Sequence, residues 1–575
     1  MLSATVLAWY GVSSIVLERN ATTTRWPKMD FTNVRSMELL RKIQVADMVR
    51  EKGVPSHFPY TVLFSAGLNA SQPLSSWKIP SVDDFRDIIA SSSSDGSQPQ
   101  EPYHRISQAL FEANLRKRCE ADPLIDLRFS WKVESVEETE ESARTVAIDL
   151  KTKETWSFVS KYLIGCDGAS SRVRRSLQIP LDGGPTPVYA SLVHFKSRDL
   201  TRLYKHGRFW HLFTVSDTHG LNGAVISQDE ADTFTTHLFL PVEQESAHMT
   251  PDEVVAAVLG GITGPYPIKI DEVLVSSTYR PYIAVARSYS GTHKRVFLAG
   301  DSAHQNVPTG GYGMNMGISD AFAIGWQLAA VMKGNCGPGL LHAYEAERRP
   351  VALMSVDESG KHLGVHMGVA KLLSGKTKSL LEDESQELYE TLDEYYQKND
   401  GENKSLGIEM GYRYQSTVVA PDDRTPPPEF DPRKYVPSTW PGMRAPHVVL
   451  KDGTAIFDSM GPLYTMVEFA DNCGSDLLLE AAKQHGLPLK LLRLKEEELA
   501  FKIWGERLVL VRPDFHVAWR GSEVNTLKDA ERIIAVIGGY AISESQSNGK
   551  TNAELSVNGD FSSTSSHKTQ KEGFE

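Results

Sequence analysis

The spacing of apolar residues divides the chain into segments of contrasting period. Residues 1–10 are apolar over a short stretch and read as a helix, with Gly11 capping it. Ser14-Ile15-Val16-Leu17 then reads as a strand ending in Glu18. Residues 103–119 have helical periodicity, and strand-like runs follow at 127–136, 145–150, 155–159 and 162–164. Between residues 188 and 282 short strand patterns alternate with turns, as at 233–240. That predicts an antiparallel sheet with one face available to a ligand. The apolar run at 296–298 leads into Gly300-Asp301 and a glycine-rich turn. A helical pattern follows from Ile318 to Val331, and residues 321–356 are helical in period overall.

Residues 91–101 (SSSSDGSQPQE) are polar and low in complexity, which predicts a surface loop. Residues 420–445 are proline-rich, include Pro426-Pro427-Pro428, and predict an interdomain linker. Beyond them, strands are expected at 463–469, 489–492, 508–512 and 516–519. Helices are expected at 475–485, with Ser475 as N-cap, and at 526–537. This β-α-β-β-β-α order predicts a small separate α/β domain. Residues 543–575 are rich in Ser, Asn, Gly and Lys, poor in apolar residues, and expected to be disordered.

A length of 575 residues exceeds one ordinary core and predicts two or three domains. A net charge of -12 with no basic stripe argues against a general nucleic-acid binder. The four cysteines are far apart and form no C-x-x-C, which excludes a disulfide framework or zinc site and fits a reducing compartment. No apolar run reaches the roughly 18 residues of a membrane span. The N-terminal apolar stretch has no basic flank or small-residue cleavage site, so no signal peptide is expected. The C-terminal Gly573-Phe574-Glu575 is not a peroxisomal signal, which leaves the cytoplasm as the default.

Four separated pieces carry candidate chemistry. Glu18 closes its strand, where an acid can accept hydrogen bonds from ribose hydroxyls of an adenosine. Gly165-Cys166-Asp167-Gly168-Ala169-Ser170-Ser171-Arg172-Val173-Arg174 follows a strand with a turn and a helix start. It could bring backbone N–H groups and Arg174 toward a diphosphate or a nicotinamide, or be a plain capped turn. Val296 to Asn315 delivers Asp301 to a strand tip beside Gly310, Gly311 and Gly313, ahead of a helix N-terminus. A flavin can be held this way: Asp301 suits a ribityl or ribose hydroxyl. The helix start at Gly313-Met314-Asn315 would stabilise negative charge on the flavin's N1–C2=O edge. Gln108 and Glu112 lie on one helix, and Arg35 stands in Asn33-Val34-Arg35-Ser36-Met37-Glu38. Tyr204, His206, Trp210, His211, Tyr279, Arg280 and Tyr282 fall in the expected substrate region, where a phenol-activating base belongs; none is assigned as catalytic.

In order and wording these pieces resemble the aromatic-hydroxylase family of FAD-dependent monooxygenases, the phenol hydroxylase-like group that includes polyketide hydroxylases. The matching stretches are Gly11 to Arg19, Arg35 to Leu40, Gly165 to Ala169, Val296 to Asp320 and Tyr344 to Pro350. Residues 441–447 and 509–514 are similar to parts of the thioredoxin-like C-terminal domain of the phenol-hydroxylase branch. The fold the resemblance implies is α/β. It has a Rossmann-like FAD-binding domain, an antiparallel-sheet substrate domain and a C-terminal thioredoxin-like domain. The expected boundaries are 1–185 (FAD-binding, with a substrate-domain excursion near 60–100), 186–285 (substrate sheet), 286–405 (FAD-binding and helical), 406–445 (linker), 446–542 (thioredoxin-like) and 543–575 (tail). The resemblance implies FAD, with NAD(P)H as co-substrate. O2 would be activated as a C4a-hydroperoxyflavin to hydroxylate a phenolic or polyketide-type small molecule, in secondary metabolism or aromatic degradation. It places Glu18 and Arg35 on the adenosine-diphosphate side, Gln108 and Asp301 along the flavin chain, and Asp167 near the diphosphate and nicotinamide. Gly311, Gly313, Met314 and Asn315 would line the isoalloxazine ring. A homodimer is compatible with it. The family's first strand and G-x-G-x-x-G loop are missing: Met1 stands where the last of those glycines belongs, and the expectation is an N-terminally truncated member. Ser170 stands where many relatives carry arginine. A Baeyer–Villiger or epoxidising relative, and an inactive truncated remnant, are the alternatives.

Overall fold

The computed structural model describes residues 1–27, 30–92, 95–242, 249–377 and 386–540, so the tail expected at 543–575 lies outside the described residues. The helix Tyr312–Met332 is the spine of the molecule. Its 21 residues are buried on almost every side, which explains why they read as continuously apolar rather than amphipathic. The helices Leu2–Trp9, Val34–Lys42 and Gly339–Leu373 pack around it. Against Leu2–Trp9 the approach is close: a Cβ on Gly325 would fall 2.6 Å from a Val6 methyl. Residues 321–356 are not one continuous helix. The helix ends at Met332, Gly334 takes a φ of +71°, and Gly339–Leu373 begins a separate helix.

The short parallel strands deliver their C-terminal ends toward one region. Ser14–Glu18 pairs with Ile125–Phe129, and Leu163–Gly165 pairs with Val296–Leu298, as two separate two-stranded sheets. Glu18, the turn after Gly165 and the Gly300–Ser302 turn thus all sit at carboxyl ends of parallel strands, where open α/β sheets place ligands.

The middle of the chain builds a seven-stranded sheet. Its order is Glu272–Tyr279, Val188–Lys196, Thr233–Pro241, Gly220–Ser227, His211–Ser216, Tyr60–Ser65 and Ser75–Ile79. All neighbours are antiparallel except His211–Ser216 and Tyr60–Ser65, which run parallel because the second comes from far upstream. The strands between residues 188 and 282 pair antiparallel, as expected, and the parallel contact with Tyr60–Ser65 is an addition for which register between distant segments leaves no local signal.

At the C-terminal end a four-stranded sheet has the order Leu489–Arg493, Tyr464–Glu468, Leu508–Val511, Val517–Gly521, with its first two strands parallel. Helices Ser475–His485 and Leu527–Ile537 accompany it, and a helix at Glu498–Trp504 adds an element the periodicity did not show. Gly474, at φ +82°, is the N-cap of Ser475–His485. Ser475 is the first helical residue, and its hydroxyl donates instead to Glu468 (2.6 Å). Of the proline-rich stretch before this sheet, residues 421–434 are exposed or half-buried, whereas Tyr435, Trp440 and Met443 are buried. All four cysteines are free, and no metal-binding cluster occurs among the described residues. No described helix is long and apolar enough to cross a membrane.

Candidate active site

One face of the seven-stranded sheet, the Gly300–Ser302 turn and the N-terminus of Tyr312–Met332 enclose a cavity of about 1280 Å³. Ligand pockets commonly hold roughly 300–1,000 Å³, so this one is large enough for two planar groups side by side. Aromatic and aliphatic side chains dominate its lining, among them Phe31, Trp210, Phe213, Leu192 and Phe239.

The polar end of the cavity begins at the Gly300-Asp301 turn. Gly300 adopts φ +62° so that the chain can leave its strand sharply. Its N–H donates to Asp320 (3.0 Å), and Asp320 also receives His304 Nε2 (2.8 Å) and Arg348 Nε (2.8 Å). The Arg348 and His304 charges outweigh burial and hold the Asp320 carboxyl down to about 2. Ser302 staples the turn to the neighbouring strand by donating to Gly165 O (2.6 Å), and Arg174 donates to Ser302 O (2.7 Å) and Ala169 O (3.1 Å). Asp301 itself is exposed on the cavity wall, with no partner for its carboxylate among the described residues.

The second turn, residues 307–311, is fastened from behind. Ser359 donates to Val307 O (2.9 Å) and Thr309 donates to Ser359 O (2.7 Å). Glu402 accepts from Gly310 N (2.9 Å) and from His366 Nε2 (2.7 Å). Burial raises the Glu402 carboxyl, but its interactions with His366 and His362 and the Gly310 N–H outweigh that and hold it down to about 2. Gly310 and Gly311 have φ of +80° and +65°, and a Cβ on Gly310 would run into the Tyr312 ring. This backbone brings Gly311, Gly313 and Met314 to the wall at the start of a 21-residue helix, where the first N–H groups lack intrahelical partners.

Of the residues the sequence singles out, Gln108, Asp301, Gly311, Gly313 and Met314 meet on this wall. The others lie apart from it. Asn315 is buried and spent on the backbone, accepting from Asn33 N (3.0 Å) and donating to Phe31 O (3.0 Å) and Gly311 O (2.8 Å). Arg35, 1% exposed, turns toward the C-terminal region and donates to Glu38 and to Asp514 O. Asp167 caps the helix Arg172–Ser176, accepting from Arg172 N (2.5 Å), Val173 N (3.0 Å) and Ser171 Oγ. Glu18 accepts from Asn20 N (2.7 Å). Glu112 receives Gln108 Nε2 (2.7 Å) and Thr24 N (3.1 Å).

From the substrate-region candidates, Trp210, His211, Tyr279, Arg280 and Tyr282 line the cavity, whereas Tyr204 and His206 bond within the protein at Ser227 and Ala70. Sequence reasoning missed Asp320, His304, Arg348, Glu402 and His237. A buried Asp at helical spacing from a glycine turn is the one signal that could have exposed Asp320.

The residues present fit the flavin end of FAD. A free carboxylate, a glutamine, two positive-φ glycines and open helix N–H groups converge where a flat ring with a hydroxylated chain could lie.

The relationships of the chain agree with this geometry. The FAD binding domain family matches residues 1–359, and the C-terminal domain family of aromatic-ring hydroxylases matches residues 438–539. The FAD-dependent monooxygenase apdD of Emericella nidulans is 48% identical, covering 94% of this chain and 88% of that protein. The FAD-dependent monooxygenase opdD of Penicillium oxalicum is 44% identical, covering 89% and 99%. Among solved structures, the flavin-dependent monooxygenase PieE in complex with FAD and substrate superposes with a TM-score of 0.82 at 26% identity, covering 93% of this chain and 96% of that one. The chain belongs to the FAD-dependent aromatic-ring hydroxylase family of flavin monooxygenases.

Proposed function

We propose that this enzyme hydroxylates a phenolic or polyketide-type aromatic molecule, consuming NAD(P)H and O2. One oxygen atom enters an aromatic C–H bond, the other leaves as water, and NAD(P)H is oxidised to NAD(P)+. The observation that carries the reading is the pairing, in one cavity, of the Asp301 and Gly311–Met314 wall with a largely apolar sheet face. FAD, when bound, supplies the two-electron redox centre and the activation of O2. Gln108 and Asp301 would hold the hydroxylated chain of the cofactor. The N–H groups at Gly311, Gly313 and Met314 would stabilise anionic charge at the ring edge. The aromatic sheet residues orient a planar substrate and exclude water.

The test is NAD(P)H oxidation against a panel of phenols and aromatic polyketides, with the product analysed for one oxygen derived from O2. Substrate-stimulated oxidation with hydroxylated product is expected. Oxidation that yields only peroxide across the panel would sink the hydroxylase reading.

Two variants test the wall. Asp301→Ala is expected to weaken FAD binding by about tenfold or more, the scale of a hydrogen bond to a charged group. Unchanged retention of the yellow cofactor would refute its role. Glu402→Ala, at the edge of the cavity, frees both the Gly310 N–H and the His366 ring, and is expected to weaken FAD binding by about tenfold through loss of the hydrogen bond that fastens the turn. A flavin fluorescence titration that matches the unmodified protein would show that the turn holds without it.

A further inference from the structure

The cavity face of the seven-stranded sheet is built in rows. Phe213, Ala224, His237, Leu192 and Ser277 stand opposite one another on five consecutive strands, and all line the cavity. His237 is the middle member of an otherwise largely apolar row. Tyr279, two residues beyond Ser277 on the same strand and the same face, brings its Oη to 3.3 Å from His237 Nδ1. The imidazole is 7% exposed, yet its Nε2 has no hydrogen-bond partner among the described residues. Nor is that atom among the sealed, unpartnered polar atoms of the interior, unlike Nε2 of the neighbouring His211. His237 Nε2 therefore opens onto the cavity.

A pair serving only to satisfy itself would have no reason to present a lone nitrogen to the ligand space. Open to the cavity and without a partner from the protein, Nε2 is left to pair with a group that enters the cavity. Burial pushes the His237 imidazole down to about 4 and the Tyr279 phenol up to about 12, so both are neutral around pH 7. Neutral imidazole has one N–H and one lone pair. In the tautomer whose Nδ1 proton is directed to Tyr279 Oη, the lone pair of Nε2 faces the cavity.

Resting on the function proposed above, we infer that His237, oriented by Tyr279, binds the hydroxyl of the aromatic or enolic substrate by accepting its O–H hydrogen bond at Nε2, and so selects neutral hydroxylated rings over their ethers. Discrimination of this kind arises because a site built to bond a hydroxyl leaves its own buried group unpaired when the hydroxyl is missing.

The experiment is calorimetric binding to the full FAD-loaded chain. The probes are hydroxyaryl compounds of one to four fused rings, each paired with its O-methyl ether. The unmodified protein is expected to prefer the hydroxyl compound by about 10-fold or more. His237→Leu is expected to weaken binding of the hydroxyl compound by about 10- to 100-fold and the ether by less than about 2-fold, with flavin content unchanged. His237→Gln, which keeps an acceptor, should restore part of the preference, and Tyr279→Phe should lower it with kcat less affected than KM. Should the leucine variant fail to fold, the glutamine and phenylalanine variants read the same preference. Equal losses for hydroxyl compound and ether, or no loss at all, would overturn the assignment of His237 alone. An unmodified protein that binds no member of the panel would overturn both this assignment and the proposed function.

Discussion

Asp320→Ala is expected to destabilise the protein by about 3–5 kcal/mol, the scale of breaking a buried ion pair by removing one partner. Asp320 is 1% exposed, and its loss takes the carboxylate partner from the Arg348 guanidinium, which keeps only Tyr414 and Met316 O, and from the His304 ring and the Gly300 N–H at once. Because Gly300 begins the turn that carries Asp301, FAD affinity should fall together with stability. Asp320→Asn, which preserves shape and one acceptor, should lose less of both. Chemical denaturation read alongside flavin fluorescence measures the two losses. A large fall in stability with flavin binding intact would separate the network from the turn it is argued to hold. The same residue sets a pH dependence. Its folded carboxyl lies at about 2 against an ordinary 3.8, so its contribution is complete above about 3.8 and disappears as the pH falls toward 2. Glu402, also held at about 2 against 4.5, adds to that acid limb with the same sign.

Arg512→Met is expected to cost a similar 3–5 kcal/mol, again by removing one partner of a buried ion pair. Two arginines of the C-terminal segment reach across to the flavin-binding region, and both are fully buried. Arg512 grips Glu347 through both terminal nitrogens (2.5 and 2.7 Å), and Arg444 grips Glu38 through Nε (2.9 Å) and Nη2. Arg512 also donates to Asp514 (2.8 Å), and Ser416 donates to Glu347 (2.7 Å). The methionine leaves the buried Glu347 carboxyl with only the neutral Ser416 and Gln327 as partners. The paired Arg512→Met/Glu347→Met protein should recover much of the loss, since apolar replacement of a whole buried pair is often near neutral. Equilibrium unfolding of the two singles and the double gives the coupling energy. A coupling near zero would mean the C-terminal sheet is held by its apolar contacts instead.

Local chemistry was readable from the sequence; partnership at a distance was not. Asp301, Gly311, Gly313 and Met314 share one strand–turn–helix, so their spacing alone placed them on one wall. The residues that hold that wall come from elsewhere: Arg348 lies 28 positions beyond Asp320, and Glu402 lies 92 beyond Gly310. Arg35 and Asn315 illustrate the converse. In sequence, a buried polar residue reads the same whether its partner is a ligand or the backbone. Here Asn315 is consumed by Asn33, Phe31 and Gly311, and Arg35 by Glu38 and Asp514. His237 escaped notice because a lone histidine in a strand carries no pattern, and only the cross-strand register brings Tyr279 within reach.

The parallel contact between Tyr60–Ser65 and His211–Ser216 has a consequence for how the enzyme comes into being. A growing chain must expose the early strand while about 150 further residues are made, because pairings between distant segments pay their loop-closure entropy before any contact rewards it. The flavin wall is later still, since Asp301 and the helix behind it emerge after the whole sheet. Synthesis at about 5–20 residues per second leaves one edge of Tyr60–Ser65, the edge not covered by Ser75–Ile79, open for many seconds. The cavity is thus completed late, only once the chain has been made as far as Lys434, and the nascent chain is exposed to aggregation in the interval before it closes.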